Sequence, residues 1–370
     1  MELGKGALEE MVNFWSGRRV FLTGHTGFKG AWLALWLVSR GARVRGFALD
    51  PDTDPNLFGV ASVADHLEDF RGDIRDGVRL QTVLSDFEPE IVFHLAAQPL
   101  VRRSYADPLG TFATNVMGTA HVLDAIRHCP SVRVVVCVTT DKCYENKEWV
   151  WPYRETDALG GHDPYASSKA CAEIVSAAYR SSFYSAGGAG QHRVALATAR
   201  AGNVIGGGDW SEDRLIPDLI RGFQDRRDVL IRRPTAIRPW QHVLEPLHGY
   251  MLLAQKLMTE DDRFCSAFNF GPADEDCWPV ERIANTIVRL WGEGARWVYD
   301  IEPGVHESHF LRLDASKARA ELGWRPCLRI DTALEWTVDW YKQWRSGADL
   351  YACAQSQIAA YEKLLQLFSC

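Results

Sequence analysis

Short apolar runs recur along the first 140 positions, and each is separated from the next by a stretch with helical spacing. Arg19-Val20-Phe21-Leu22-Thr23, Ala42 to Leu49, Ile91 to Ala97 and 132–138 read as strands. Ala31 to Arg40, a segment around 76–87 and a long one at 108–128 read as helices. Strands alternating with helices imply right-handed βαβ units and a parallel sheet. The runs are apolar throughout rather than at every second position, as expected when helices cover both faces of that sheet.

The predicted fold is therefore α/β, a Rossmann-type doubly wound parallel sheet. Past about residue 200 the pattern changes. "GNVIGGGDW" (202–210) is a glycine-rich loop, "RRPTAIRPWQHV" (232–243) is dense in Arg and Pro, and shorter helices and isolated strands follow. We expect a nucleotide-binding domain over 17–200, with some later segments able to return to it. A smaller C-terminal substrate-binding lobe is expected over 201–345, and a helical tail over 346–370. Within that tail, 350–368 has the spacing of a packing helix, and "SAGGAGQH" (185–192) reads as a flexible surface loop.

Composition narrows the class. The 370 residues are 46% apolar and 24% charged, as in a globular protein. Their formal charge of −7 carries no basic run, which argues against a nucleic-acid partner. No stretch reaches the roughly 18 uninterrupted apolar residues of a membrane span, and the acidic N-terminus does not resemble a signal peptide. The nine cysteines are scattered without a C-x-x-C pair, so neither disulfides nor a metal site is expected, and the expected compartment is the cytoplasm.

Chemistry concentrates at the predicted strand ends. "TGHTGFKG" puts Gly24, Gly27 and Gly30, with Thr26 and Phe28 between them, where the first strand meets its helix. Residues without side chains let backbone N–H groups approach a pyrophosphate at a helix N-terminus. The next strand ends at Asp50, whose carboxylate suits both ribose hydroxyls and repels a 2′-phosphate, favouring NAD over NADP; Lys29 complicates that charge argument. Asp73 and Ile74 in "GDIRD" offer an adenine contact, and Leu95, Ala96 and Ala97 leave room for the cofactor.

Tyr165 and Lys169 are four apart in "DPYASSKACAE", where Asp163-Pro164 suits a helix start, so both side chains share one face. An ammonium near a phenol favours phenolate, a usable base. Just upstream, "VTTDKCYEN" delivers Thr139, Thr140, Asp141 and Lys142 at the end of a strand. In the second lobe, Arg232 and Arg238 suit a bidentate clamp on a pyrophosphate.

Together "TGHTGFKG", Asp73, "LAAQ", Asn115, Thr140 and Tyr165-x-x-x-Lys169 resemble the extended short-chain dehydrogenases/reductases, as does "LDASKARAELGWRP" (313–326). Within that group "TTDKCYENKEW", "RAGNVIGGGDW" and "IRPWQHVLEPL" resemble the CDP-glucose 4,6-dehydratases over nearly the whole chain. The resemblance implies NAD-dependent oxidation at C4 of CDP-glucose, elimination of water across C5 and C6, and return of the hydride to C6. It implies cofactor contacts by Asn115 and Thr139, and substrate contacts by Gln98, Asn203, Arg232, Arg238 and His306. It also implies a homodimer or homotetramer built on the helices at 108–128 and 165–184.

In the related dTDP-glucose dehydratases an Asp-Glu pair stands where this chain has Asp141-Lys142. Asp141 keeps the role of acid, whereas Lys142 is either a base or a fixed cation beside the enolate. A sugar-nucleotide 4-epimerase would need only Thr140, Tyr165 and Lys169. The same motifs also admit a dehydratase acting on another nucleotide hexose, and the glycine turn alone admits an inactive cofactor-binding regulator.

Overall fold

The computed structural model describes residues 14–185, 192–300 and 310–368. Seven parallel strands form one sheet: β1 Arg19–Thr23, β2 Arg43–Ala48, β3 Glu68–Arg71, β4 Ile91–His94, β5 Val134–Val138, β6 Ala195–Ala201 and β7 Ala267–Phe270. Their order is β3-β2-β1-β4-β5-β6-β7, so the direction of winding reverses between β1 and β4. A ligand crevice opens at such a switch point, beyond the carboxyl ends of the strands.

The fully apolar strands have the predicted cause. Val20 and Leu22 of β1 face one core while Phe21 between them faces another, and Val134 and Val136 are likewise opposed to Val135 and Cys137. The first face is covered by α1, Phe28–Ser39, and by a helix from the later half of the chain, Leu244–Thr259. The second face is covered by α2, Gly77–Phe87, and by α3, Gly118–Arg127. The helix expected at 108–128 runs through Pro108–Phe112, a π turn at Ala113–Met117 and α3. The α4 helix, Pro164–Tyr179, lies beside it.

The later half is interleaved with the first. β7 joins the main sheet beside β6, and Leu244–Thr259 packs on β5 and β6. Helices of 16 residues at Leu244–Thr259 and Ile330–Arg345 replace the shorter ones expected there, because both bury broad apolar faces. Three small strand pairs form outside the main sheet, among them Val229–Ile231 with Trp297–Tyr299. The tail helix Leu350–Phe368 packs on α1, where Trp36 Nε1 donates to Glu362 Oε1 at 2.7 Å. Of the loop at 185–192, positions 186–191 lie outside the described residues. Among the described residues no helix is long and apolar enough to cross a membrane.

Candidate active site

The cleft, of about 620 Å³, begins at the glycine turn after β1. Gly24 has φ +79°, and a Cβ there would lie 2.7 Å from the Ala96 nitrogen, so only glycine lets this turn touch the end of β4. A Cβ on Gly30 would lie 2.0 Å from the Gly24 carbonyl oxygen, so α1 starts hard against the turn. Gly27 caps α1 with no side-chain hydrogen bond, leaving first-turn N–H groups and the positive helix end to a ligand. Thr26 Oγ1 donates to the Leu49 carbonyl at 3.0 Å, and Thr23 Oγ1 accepts from Leu95 N and Ala96 N at 3.2 Å each. This cradle fits a dinucleotide pyrophosphate.

Asp50 and Asp73 line the same cleft. Asp50 leaves β2 with its side chain exposed, and Arg71 Nη1 stands 3.4 Å from Oδ1. The Arg75 guanidinium grips Asp73 at 2.5 Å from Oδ2 and holds its carboxyl below the ordinary carboxylate value. Phe28, Ile74 and the Leu95–Ala97 segment complete this end.

Two residues expected at the cofactor and the substrate bond to each other. Asn115 and Gln98 do not line the cleft. Asn115 Oδ1 accepts from Gln98 N at 2.8 Å, and its Nδ2 donates to Gln98 O at 3.1 Å and to Ser168 Oγ at 2.8 Å. The pair therefore holds the segment after β4 onto α4.

The catalytic candidates converge from β5 and α4. Asp163 Oδ1 accepts from Ala166 N at 2.8 Å with Pro164 at the first helical position, the start the sequence suggests. Tyr165 and Lys169 are both buried. Burial pushes the Tyr165 phenol up to about 12, and a hydrogen bond with Thr140 draws it back. Desolvation thus overturns the lowering expected from a nearby ammonium, and the charge that does lower the phenol is the Arg214 guanidinium. Burial also brings Lys169 down to about 8, and its Nζ donates to Val138 O at 3.2 Å.

Thr140 caps a single 3₁₀ turn, Asp141–Cys143, and donates to Asp141 Oδ1 at 3.0 Å. Lys142 Nζ approaches the same oxygen at 3.3 Å. Asp141 is fully buried and Oδ2 has no hydrogen-bond partner, an unusual state for a carboxylate oxygen. Gly202 makes room for it, since a Cβ there would lie 3.1 Å from Oδ2. Thr139, Thr140, Lys142, Tyr165 and Lys169 line the cleft, whereas Asp141 sits just behind them.

Asn203, Arg232 and Arg238 line the far end of the cleft. Arg238 Nη1 donates to Ile237 O at 3.0 Å, and Arg232 Nη2 is 4.0 Å from Asp213 Oδ1. His306 lies outside the described residues. Two further cations belong to the site. Burial takes Lys29 down to about 7, with Arg214 and Lys169 adding to the effect. Arg214 lines the cleft, pairs with Asp209 Oδ2 at 3.1 Å and acts on both Lys29 and Tyr165. Arg214 belongs to none of the motifs, so no local signal marks it. Among the described residues no group of three His, Cys, Asp or Glu is arranged to hold a metal.

A nucleotide cradle at the switch point, facing a Thr-Tyr-Lys set with an added Asp-Lys pair, defines a short-chain dehydrogenase/reductase of the extended kind. The chain belongs to the GDP-mannose 4,6 dehydratase family, whose model matches residues 21–337. It is 52% identical to the CDP-glucose 4,6-dehydratase of Salmonella typhimurium, over 94% of this chain and 97% of that one. With the dTDP-glucose 4,6-dehydratase of Xanthomonas campestris the identity is 28%, over 86% and 92%. DesIV of Streptomyces venezuelae, a dTDP-glucose 4,6-dehydratase solved with NAD and TYD bound, superposes with a TM-score of 0.75 at 25% identity, covering 90% of this chain and 99% of that one.

Proposed function

We propose that the chain is a hydro-lyase that converts CDP-D-glucose to CDP-4-keto-6-deoxy-D-glucose with NAD. The observation that carries this reading is the Asp141–Lys142 turn joined through Thr140 to Tyr165, because elimination needs an acid and a base beside the groups for C4 oxidation. The glycine cradle, Asp50 and Asp73 would hold the dinucleotide, and NAD when bound accepts the hydride from C4 and returns it to C6.

Tyr165 takes the proton of the sugar 4-hydroxyl, with Thr140 sharing that hydrogen bond. The C4 ketone then acidifies the C5 proton. Lys142 and Asp141 serve the elimination together: one proton moved across their 3.3 Å contact turns ammonium and carboxylate into amine and carboxylic acid. The amine removes the C5 proton, and the acid protonates the departing 6-hydroxyl. Asn203, Arg232, Arg238 and His306 bind the nucleotide sugar, the two arginines on its pyrophosphate.

The test follows C5 solvent exchange and C4 oxidation separately in Lys142→Ala and Lys142→Glu. The Ala variant is expected to oxidise C4 and stall before C5 exchange, and the Glu variant to recover exchange in part. Full turnover by the Ala variant with unchanged exchange refutes a role for Lys142 in elimination. Loss of exchange in both variants favours a fixed cation, since neither side chain carries a positive charge.

The compartment we propose is the cytoplasm, on the scattered free cysteines. We also propose a homodimer or homotetramer. Its support is the exposure of Leu109, Met117 and Ile174 on the neighbouring helical segments 108–127 and 164–179. Leu109→Glu with Ile174→Glu is expected to lower the mass in sedimentation equilibrium; an unchanged mass counts against that interface.

A further inference from the structure

One turn beyond Lys169 on α4 lies Glu173, a carboxylate outside the cleft that none of the roles above uses. It is buried, and it receives four hydrogen bonds. Thr139 Oγ1 donates to Oε1 at 2.5 Å and Thr198 Oγ1 to Oε2 at 2.7 Å. Arg200 completes a fork, Nε to Oε1 at 2.9 Å and Nη2 to Oε2 at 2.8 Å. The remaining Arg200 nitrogen, Nη1, donates to the Tyr144 hydroxyl at 2.8 Å, and that hydroxyl donates to Asn269 Oδ1 at 2.7 Å. Arg200, Thr198, Tyr144 and Asn269 are all buried.

The chain positions so joined are specific. Thr139 precedes Thr140, Tyr144 directly follows the Asp141–Cys143 turn, and Glu173 is on the helix that carries Tyr165 and Lys169. The two segments bearing the five catalytic candidates, the strand end with its turn and α4, thus meet on one carboxylate–guanidinium pair. Removing two charges from water makes such a pair a poor means of stabilising a sheet, whereas its fork geometry defines direction sharply. Every acceptor site on Glu173 that these bonds use is matched, so the pair is fully satisfied rather than half-made.

We propose that Glu173 and Arg200 are positioning residues that hold the Thr140–Asp141–Lys142 turn in register with Tyr165 and Lys169, so that oxidation at C4 and elimination at C5 and C6 share one sugar pose. Glu173 acts through Thr139 and α4, on the oxidation side. Arg200 acts through Tyr144, on the elimination side. The inference rests on the catalytic roles given above to those five residues.

Tyr144→Phe removes one hydroxyl without leaving Glu173 unpaired. It is expected to lower kcat about tenfold, the effect of roughly one lost hydrogen bond expressed on a barrier. KM for CDP-glucose should hold, and enzyme-bound NADH should accumulate because elimination lags oxidation. Glu173→Gln is expected to lower kcat without NADH accumulation, because oxidation itself is slowed. Should that variant fail to fold, Tyr144→Phe decides alone. A Tyr144→Phe protein with a lower melting temperature but unchanged kcat and no NADH signal overturns the proposal, since the network would then be structural. So does a loss confined to KM. Tyr165→Phe is the control: NADH formation in that variant defeats the catalytic assignment itself, whereas its absence alongside normal Tyr144→Phe kinetics defeats the positioning role alone.

Discussion

Tyr165 shows how far a spacing argument reaches. The four-residue interval to Lys169 places both groups on one helix face, and the structure has them there, buried together. The interval is silent on desolvation, which pushes the phenol up to about 12 and the ammonium down to about 8. The hydrogen bond to Thr140 is the main influence favouring phenolate. Thr140→Val should therefore raise the phenol further and lower kcat on the order of tenfold or more, as expected for a lost charge-assisted bond. Steady-state kinetics with CDP-glucose checks this, and an unchanged kcat would remove Thr140 from the oxidation step. Arg214 and the desolvation of Lys29 lack a local signal for a related reason. Lys29 is acted on by Arg214, Lys169 and Asp141, and Arg214 acts on Tyr165, each pair distant in the chain.

At the level of elements, the glycine turn was legible because its chemistry is local. A strand, three glycines at intervals of three and a helix suffice to build an anion site. The structure adds a dependence on β4, through the approach of Gly24 to Ala96. Gly30→Ala would force a methyl to within 2.0 Å of the Gly24 carbonyl. We expect a loss of about 1–3 kcal/mol in stability, typical of overpacking, together with weaker NAD binding. Thermal melts and fluorescence titration with NAD measure the two, and normal affinity would show that the turn tolerates opening. The mutual hydrogen bonds of Asn115 and Gln98 have no such local signal, because they close only after the helix packs on the segment following β4.

Across the whole molecule, Glu245 ties the late helices to the sheet. Its Oε1 accepts from Cys327 N at 2.8 Å and Leu328 N at 2.5 Å, and its Oε2 from the Tyr361 hydroxyl at 2.9 Å. Burial raises it from the ordinary 4.5 to about 7. The folded state therefore holds this proton more tightly than the unfolded chain. Its contribution is present below about pH 4.5 and is lost as pH rises through about 7. The effect amounts to roughly 3 kcal/mol. Melting temperature should fall over that window in the wild type, and Glu245→Gln should flatten the slope. An equal slope in both would assign the pH dependence to other groups.

The linear order of residues by itself determined the alternation of strands and helices, the glycine cradle, the Tyr-Lys interval and the polar strand end at Thr140. Each depends on residues within about one turn or one strand of each other, so local periodicity and backbone sterics are enough. Only the tertiary structure decided that β7 and Leu244–Thr259 return to the first half. It alone covered Asp141 while leaving Lys142 in the cleft, and brought Arg214 to Tyr165 and Arg200 to Glu173. Those outcomes follow from contacts between residues far apart in the chain and from the loss of water around them. Neither quantity exists until the sheet has closed.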